Sequence, residues 1–320
     1  GGFLLYDKRA IALEKYELTV KEITRGRGTF ICDTSQGEKV LVPFKGTKTR
    51  AMFIKNYLDA LNESGFEAEK IILTAEGEAL SDDGEEHYLL KDYIKGNECR
   101  VLETEDTLMA MEKIAEFHRA SETLKLPAAD NSVLSYLDKA DKHMNELKRI
   151  RNYIKGRNKK NEFELMFQEN YEYYMDCAGK AVEYMAEGNE IWCHGQMNQH
   201  NILYTNGQWQ IVNFEHILHA PAIIDVSEFI RKVSEKNQWD YRMGERLLNK
   251  YESSCPMSEQ ARKQLLGVLL FPEKFWKIAD HYYGSNKAWI PKRDIEKLRK
   301  IIAQERERIT FIEKVFAISI

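Results

Sequence analysis

The stretch of sequence that decides the fold is WCHGQMNQHNILYTNGQWQIVNFEH, residues 192–216. It contains two short apolar runs, NIL and QIV, separated by an Asn-Gly pair of the kind that forms tight turns between antiparallel strands. Polar residues flank these runs, with His194 and Gln196 before them and Asn213 and Glu215 after them. The pattern predicts a β-hairpin bordered by the polar residues of a site.

The bulk composition excludes several classes of protein. The 320 residues carry a net charge of −4, which leaves no excess of Lys and Arg to neutralise phosphates, so we expect no nucleic-acid partner. No apolar run is long enough to span a bilayer, and the run at 3–6 is too short for the core of an export signal. Five scattered cysteines without a CxxC pair are typical of reduced thiols. The sequence therefore predicts a cytoplasmic protein that has no membrane partner.

The chain contains two regions with different sequence patterns. Residues 1–95 combine strand patterns and glycine turns with one helical pattern at 50–66, which predicts a small antiparallel β-rich N-lobe with one helix. Residues 96–320 contain long amphipathic helical patterns, interrupted by the β-rich stretch quoted above. We therefore predict an α+β fold of the two-lobed, protein-kinase-like type, in which the large C-lobe is mainly helical.

The spacing from His194 to Asn201 matches the catalytic loop of kinase-like enzymes. In the form H-x-D-x-x-x-x-N, that loop supplies an Asp that accepts a hydroxyl proton and an Asn that holds Mg²⁺, and a later Asp before Phe completes the metal site. Here Asn213 precedes Phe214 at the second of these places. The spacing predicts that Gln196, Asn201 and Asn213 converge on one cleft between the lobes.

The chain resembles the aminoglycoside-phosphotransferase-like superfamily, whose HGDxxxxN and IDF motifs correspond to CHGQMNQHNIL and IVNFE. Within it, the sequence is most similar to the spore-coat (CotS-type) kinase-like family. The segments that carry this likeness are YLLKDYIKGNE, IAEFHRAS and LLFPEKFWKIADHYYGSNKAWIPK, at 88–98, 114–121 and 269–292. The resemblance implies a protein made in the mother-cell cytoplasm and deposited on the spore coat, with other spore-coat proteins as partners.

Four positions depart from the pattern of that superfamily. Gln196 stands where the proton-accepting Asp belongs, and a carboxamide has no basic lone pair near neutral pH. Asn213 stands at the principal metal carboxylate, where a neutral amide oxygen is a poorer ligand for Mg²⁺. The phosphate-gripping lysine is replaced by Val42 and its Glu partner by Ile54, and the nearby Lys45 is predicted to point elsewhere. We therefore expect the site to lack its lysine as well as its carboxylates.

Further residues complete the predicted site. Glu215 follows Phe214 at a position that often reaches the metal in the superfamily. Asp225 corresponds to a buried Asp that braces the catalytic loop, although a helix N-cap explains it nearly as well. His194 and His200 are interpreted as structural, with a role as base as the alternative for His200. The candidates for nucleotide contact are Gly26, Gly28, Lys91, Asp92 and Tyr93.

Two functions follow from these residues. The first is a catalytically degenerate pseudokinase that acts in coat assembly or as a binding scaffold. The alternative is an active ATP-dependent phosphotransferase that acts on a small-molecule hydroxyl with displaced catalytic residues. ATP and Mg²⁺ are expected only if the cleft is retained, and no metal site is predicted because His194, His216 and His219 lack a fourth ligand.

The C-terminal aromatic residues allow two interpretations. They form either a helix-packing core or the lining of the cleft or of a partner surface. The residues are Phe271, Phe275, Trp276, Tyr282, Tyr283 and Trp289.

Overall fold

The computed structural model of the protein describes residues 8–126, 135–185, 188–284 and 292–320. The apolar run at 3–6 and Trp289 lie outside these ranges. All five cysteines are described, and none of them forms a disulfide. None of the described helices is both long enough and apolar enough to cross a membrane.

The strands are short and belong to three sheets. They are β1 (Val20–Arg25), β2 (Phe30–Thr34), β3 (Gly37–Pro43), β4 (Ile71–Ile72), β5 (Ser81–Asp82), β6 (His87–Asp92), β7 (Asn97–Glu98), β8 (Glu190–Cys193), β9 (Ile202–Thr205), β10 (Gln208–Ile211) and β11 (Leu218–Pro221). The largest sheet is antiparallel and has the order β1-β2-β3-β6-β4, with β5 also paired to β6. The second has the order β10-β9-β7, and β8 pairs with β11 in the third.

The helices account for most of the chain after residue 103. They are α1 (Lys8–Leu13), α2 (Lys48–Glu63), α3 (Thr104–Thr123), α4 (Tyr136–Lys155), α5 (Glu162–Tyr184), α6 (Ile223–Lys236), α7 (Tyr241–Glu252), α8 (Glu259–Leu270), α9 (Glu273–Gly284), α10 (Lys292–Ala303) and α11 (Glu305–Phe316). The predicted succession of an antiparallel sheet and a mainly helical region is therefore present.

The contacts within the chain divide it into two compact units. The sheet unit contains Gly1–Cys99, Lys113–Asn131 and Ile191–His219, and the helical unit contains Arg100–Glu112, Ser132–Glu190 and Ala220–Ile320. The sheet unit thus draws on three separate stretches of sequence. The division into lobes at residue 95 stays a prediction, since the compact units are not separated by a single cut.

Strand β6 lies in the interior of the large sheet, between β3 and β4, and is covered on both faces. Residues 88–91 are buried in succession, instead of alternating between buried and exposed. A strand that is covered on both faces reads as a continuous apolar run, and Tyr88, Leu89 and Leu90 fit that rule. Lys91 does not fit it, because it places a charged side chain in the interior.

Helix α2 forms where the sequence pattern predicts it. Thr47 caps its N-terminus, since the Thr47 hydroxyl accepts a hydrogen bond from the Arg50 backbone N–H at 3.1 Å. Gly65 follows the helix with φ at 91°, a conformation that glycine adopts without strain. The buried residues of α2 include the apolar positions that set the period of the pattern: Ile54, Tyr57, Leu58 and Leu61.

The hairpin predicted at the centre of the quoted stretch is present. Strands β9 and β10 pair in register from Ile202 with Ile211 to Thr205 with Gln208. Between them, Asn206 and Gly207 have φ angles of 50° and 81°. Two successive residues with positive φ are what a type I′ turn requires, so the Asn-Gly pair sets the register of the hairpin.

The C-terminal aromatic residues belong to the core of the helical unit. Phe275 is buried there, and Trp276, Tyr282 and Tyr283 pack against the same cluster. Phe275 stacks on Phe167 of α5 with ring centroids 4.9 Å apart and an interplanar angle of 9°. These contacts support the helix-packing interpretation over the cleft-lining one.

Truncating the Phe167 ring tests this core. Phe167 is fully buried, so we expect Phe167→Ala to lower the free energy of unfolding by about 3–5 kcal/mol through the cavity it leaves. Leu165 lies on the same helix and is 48% exposed, so Leu165→Ala is expected to change it by less than about 0.5 kcal/mol. Urea denaturation of both variants measures the difference, and equal losses would contradict the packing described.

Candidate functional site

His194 shapes the loop that precedes the hairpin. Its ring is fully buried, and Nε2 lies 2.9 Å from the carbonyl oxygen of Val212. The backbone N–H of Gln196 donates to Nδ1 of the same ring at 3.2 Å. These two bonds require a neutral ring that carries its proton on Nε2. His194 therefore joins the loop before β9 to the residue that follows β10, and the use of both nitrogens argues against a metal-binding role.

Gly195 is required by the close approach of the loop to residue 216. Its φ is 81°, and a Cβ at this position would lie 2.3 Å from the carbonyl oxygen of His216. That distance is far below a van der Waals contact, and the oxygen belongs to the backbone. No other residue fits here without displacing the chain.

Hydrogen bonds bring Gln196, Asn201 and Asn213 together. The Asn201 side-chain amide donates from Nδ2 to the backbone carbonyl of Gln196 at 2.8 Å. Asn213 in turn donates from Nδ2 to Asn201 Oδ1, also at 2.8 Å. The Gln196 side chain is exposed. The three residues thus lie side by side within the sheet unit, and their roles in chemistry remain predictions.

A buried lysine extends this chain of polar groups. Lys91 is 1% exposed, and its Nζ lies 3.1 Å from both carboxylate oxygens of Glu69. The same ammonium donates to Asn213 Oδ1 at 3.4 Å and forms an ion pair with Glu215. Two carboxylates therefore surround one ammonium, which leaves the cluster with one excess negative charge. We call Lys91, Glu69, Glu215 and Asn213 the ammonium cluster.

Glu69 also fixes the backbone of the loop that follows the hairpin. Its carboxylate accepts hydrogen bonds from the backbone N–H of Asn213 at 3.0 Å and from that of Phe214 at 2.9 Å. Asn213 has φ of 67°, and a short 3-10 turn, Phe214–His216, begins directly after it. The Glu69 carboxylate thus satisfies N–H groups at the start of this turn that the turn itself leaves without partners.

Mutual attraction keeps the cluster ionised. Burial by itself would lower the pKa of Lys91, but the Glu215 and Glu69 carboxylates outweigh it and raise that pKa above its ordinary value. Burial would likewise raise the pKa of Glu215, but the Lys91 ammonium outweighs it and lowers that pKa. Both directions of pKa shift favour the charged forms of Lys91 and Glu215.

Loss of the phosphate-gripping lysine at Val42 stays a prediction, but the site does contain a buried lysine. Neither Val42 of β3 nor Lys45 in the loop after β3 supplies the cation. Lys91 of β6 supplies it, and its partner is Glu69, which lies outside α2. Glu69 was missed because it lies in no motif. The available signal was a charged pair, Glu69-Lys70, next to the buried strand β4.

The other candidates for nucleotide contact occupy ordinary strand and turn positions. The Asp92 carboxylate accepts from Lys39 Nζ at 2.6 Å, and the Tyr93 backbone N–H donates to the Glu38 carbonyl at 3.2 Å. The Gly26 backbone N–H donates to the Thr29 carbonyl at 2.9 Å across a tight turn. A nucleotide role for Gly26, Gly28, Asp92 and Tyr93 stays a prediction.

The turn between β1 and β2 reaches the loop that carries His200. Arg27 Nη1 lies 3.0 Å from His200 Nδ1, and the Glu98 carboxylate lies 2.5 Å from the same ring nitrogen. Arg27 and Glu98 are themselves 3.7 Å apart. All three side chains are more than one-third exposed, so these contacts contribute little to stability. His200 is thereby engaged with charged neighbours in the sheet unit.

Asp225 belongs to the helical unit. It is fully buried and lies in the first turn of α6, where Ala222 is the N-cap residue. The N-cap interpretation of Asp225 is therefore wrong, because the helix begins one residue after Ala222 and Asp225 is already inside it. Its bracing of the catalytic loop stays a prediction.

Comparisons of the sequence with known proteins point to one family. A protein-family model described as "Spore coat putative kinase YutH" matches residues 9–315. The "Endospore coat-associated protein YutH" of Bacillus subtilis (strain 168) is 22% identical over 298 aligned residues, which cover 86% of this chain and 83% of that protein. Assignment to the CotS-type branch in particular stays a prediction.

Solved structures establish the fold. An aminoglycoside phosphotransferase from Alicyclobacillus acidocaldarius superimposes with a TM-score of 0.84 at 16% identity, covering 97% of this chain and 95% of that one. A spectinomycin phosphotransferase in its AMP-bound complex superimposes with a TM-score of 0.70 at 13% identity, covering 97% and 98%. The predicted aminoglycoside-phosphotransferase-like fold is confirmed.

Neutralising Glu69 tests the ammonium cluster. We expect Glu69→Gln to lower the free energy of unfolding by about 3 kcal/mol, because it removes one of the two carboxylates that compensate a buried ammonium. Glu76 is exposed in the same unit, so Glu76→Gln is expected to cost less than about 0.5 kcal/mol. Denaturant titration compares the two, and a similarly small effect of both would show that the buried pairing is not needed.

The close contact between Gly195 and the His216 carbonyl can be tested by comparing two alanine substitutions, one at Gly195 and one at a glycine with the same φ. Gly207 also has φ of 81°, but a Cβ there would meet no atom within 4 Å. We expect Gly207→Ala to cost about 1–2 kcal/mol from backbone strain alone. Gly195→Ala is expected to cost at least about 2 kcal/mol more because of the contact with His216. Equal thermal stabilities of the two variants would contradict the close approach.

Proposed function

This chain belongs to the YutH family of spore-coat kinase-like proteins, and from that premise we propose that it is a catalytically silent pseudokinase that serves the coat by binding other proteins. The observation that carries the proposal is the ammonium cluster. In this cluster, the side chains that would bind phosphate and metal in a kinase-like site bind one another instead.

The first missing element is a base. A phosphotransferase needs a group that accepts the proton of the substrate hydroxyl. The loop position for that group carries Gln196, whose amide orients a hydroxyl but does not take its proton. The neighbouring imidazole of His194 is committed to two backbone groups and is buried, so it does not replace the base.

The second missing element is a pair of ligands for Mg²⁺. Oxygen atoms of Asn201 and Asn213 stand at the two metal positions of the motif. Asn201 Oδ1 already accepts from Asn213, and Asn213 Oδ1 already accepts from Lys91. Neither residue supplies a negative charge. The residues at these positions, as arranged, do not fit a magnesium ion, and we derive no chemical step through one.

The third missing element is a cation available to phosphate. The ammonium of Lys91 has three N–H donors, and these face Glu69, Glu215 and Asn213. A phosphate group would have to displace a carboxylate from a buried ion pair in order to bind, which is energetically costly. The lysine that is present therefore stabilises the fold and is not free to grip a substrate.

The coat role is proposed from the relatives. The Bacillus subtilis protein is described as endospore coat-associated, and this chain carries a net charge of −4. We propose synthesis in the mother-cell cytoplasm, deposition on the coat, and coat proteins as partners, with neither nucleic acid nor membrane as a partner.

An active phosphotransferase with displaced residues is the second candidate function. One observation favours it: Lys91 pairs with Glu69, and active kinases also hold their phosphate-gripping lysine with a Glu. The two candidates differ in whether the site binds ATP together with Mg²⁺, and that difference can be measured.

Thermal unfolding in the presence of ATP, with and without Mg²⁺, separates the two candidates. For a silent site we expect no Mg²⁺-dependent rise in Tm, because neither metal position carries a carboxylate. A site saturated with the metal–nucleotide complex at 100 times Kd would gain about 2.7 kcal/mol, and such a gain would exclude the simple pseudokinase. A rise with ATP alone would mean that nucleotide binding is retained without catalysis. As a further check, Gln196→Asp should show no ATP turnover, and easily measured turnover would refute the proposal.

The coat role predicts a location that does not depend on chemistry at Gln196. In a sporulating Bacillus subtilis strain without its own relative, we expect a fluorescently tagged chain and its Gln196→Ala variant to form the same ring around the spore. Diffuse fluorescence of both in the mother cell would contradict the coat role. A ring formed by the unaltered chain alone would contradict a role by binding only.

A further inference from the structure

The ammonium cluster has the composition of a site for a hard divalent cation. Carboxylate and amide oxygens are the ligands that Mg²⁺ and Ca²⁺ take in proteins, and here Glu69, Glu215 and Asn213 direct such oxygens at one point. What lies at that point is Lys91 Nζ, 3.1 Å from both Glu69 oxygens and 3.4 Å from Asn213 Oδ1. Lys91 thus fills the space in which these oxygens would meet an ion.

Among the described residues, Lys91 is the cation that forms ion pairs with both carboxylates of the cluster. Glu69 is 4% exposed and the Glu215 side chain 10% exposed, so water screens neither of them effectively. Two buried carboxylates without a cation would repel each other and lose their hydration, which is costly. The backbone N–H groups of Asn213 and Phe214 compensate Glu69 in part. Lys91 supplies the positive charge that both carboxylates share.

We propose that Lys91 is a tethered cation that takes the place of a divalent metal ion in this fold, and that removal of its side chain converts the same oxygens into a metal-binding site. Lys91 is then a positioning residue. It holds the loop that begins at Asn213 in the arrangement that a metal would otherwise impose, and it makes that arrangement independent of metal concentration. This inference deepens the proposed function, since it gives the reason why the site needs no Mg²⁺.

The variant that tests the proposal is Lys91→Ala, studied without nucleotide. Truncation removes the ammonium and leaves space for an ion among the Glu69, Glu215 and Asn213 oxygens. We expect Mg²⁺, Ca²⁺ or Mn²⁺ to stabilise this variant with a Kd on the order of 10⁻³ M or tighter. Above Kd, its folding equilibrium constant should then rise about tenfold for each tenfold increase in metal concentration. The unaltered chain should show no such dependence.

Lys39 provides the matched control. It is also a buried lysine, lies on the neighbouring strand β3, and pairs with the single carboxylate of Asp92 at 2.6 Å. Lys39→Ala removes an equal charge from the same sheet but opens no cage of several oxygens. We expect this variant to gain no stability from divalent ions.

Three further results decide the proposal. Lys91→Ala/Glu215→Gln should lose at least tenfold in metal affinity relative to Lys91→Ala, because one charged ligand is removed. If Lys91→Ala does not fold alone, it should refold on addition of Ca²⁺ or Mn²⁺ and not on addition of an equal ionic strength of Na⁺. Ethylammonium, which restores the cation without its tether, should also stabilise it at millimolar concentration.

Opposite outcomes overturn the proposal. It fails if divalent ions do not stabilise Lys91→Ala, whatever ethylammonium does, if Lys39→Ala responds equally, or if metal alone stabilises the unaltered chain. These measurements are made without ATP, so they are separate from the test of the pseudokinase function. Turnover of ATP by the unaltered chain would refute that function even if Lys91→Ala binds metal as expected.

Discussion

One buried ammonium imposes the constraint on which the sheet unit depends. Lys91 lies in an interior strand of the large sheet, and its ion pairs reach a carboxylate before β4 and another after β10. A charge in this environment is tolerated only with close partners of opposite charge, because the lost hydration must be replaced. The positions of Glu69 and Glu215 are therefore determined together with that of Lys91. The loop after the hairpin is set by the same requirement, since Glu69 also receives its backbone N–H groups.

The interactions that shape the loops of the site differ from those that catalysis would need. The bonds that shape the loops run to backbone groups: His194 to the Val212 carbonyl, and Asn201 to the Gln196 carbonyl. Backbone groups are present whatever the side chains are, so the loop geometry survives when Gln and Asn replace Asp. Catalysis depends on the charge and basicity of those same side chains. A chain can therefore keep the loop geometry of a kinase-like site without the side chains that phosphoryl transfer requires.

Local signals in the sequence predicted a large part of the fold. The Asn-Gly pair at Asn206 fixed the hairpin, because few turns other than type I′ accept two residues with positive φ. The apolar period of α2 and the glycine after it located that helix, because helical spacing and its stop are both local. The motif spacing also brought Gln196, Asn201 and Asn213 together. The ammonium cluster had no such signal, since Glu69 and Lys91 contact Asn213 and Glu215 across more than 120 residues. Strand β6 is buried on both faces, so its own sequence does not show which distant segments supply the partners of Lys91.

The discontinuity of the sheet unit has a consequence for the order in which the chain is made. Its three stretches end at Cys99, Asn131 and His219. Glu69 and Lys91 therefore emerge from the ribosome long before Glu215 does. During this interval the large sheet and α2 are complete, while the ammonium has one carboxylate partner instead of two. Contacts between distant parts of a chain form late because the intervening loop must first close. All strands of the large sheet are therefore synthesised before the ammonium can meet its second carboxylate, and emergence of the hairpin and the turn after it supplies that last partner.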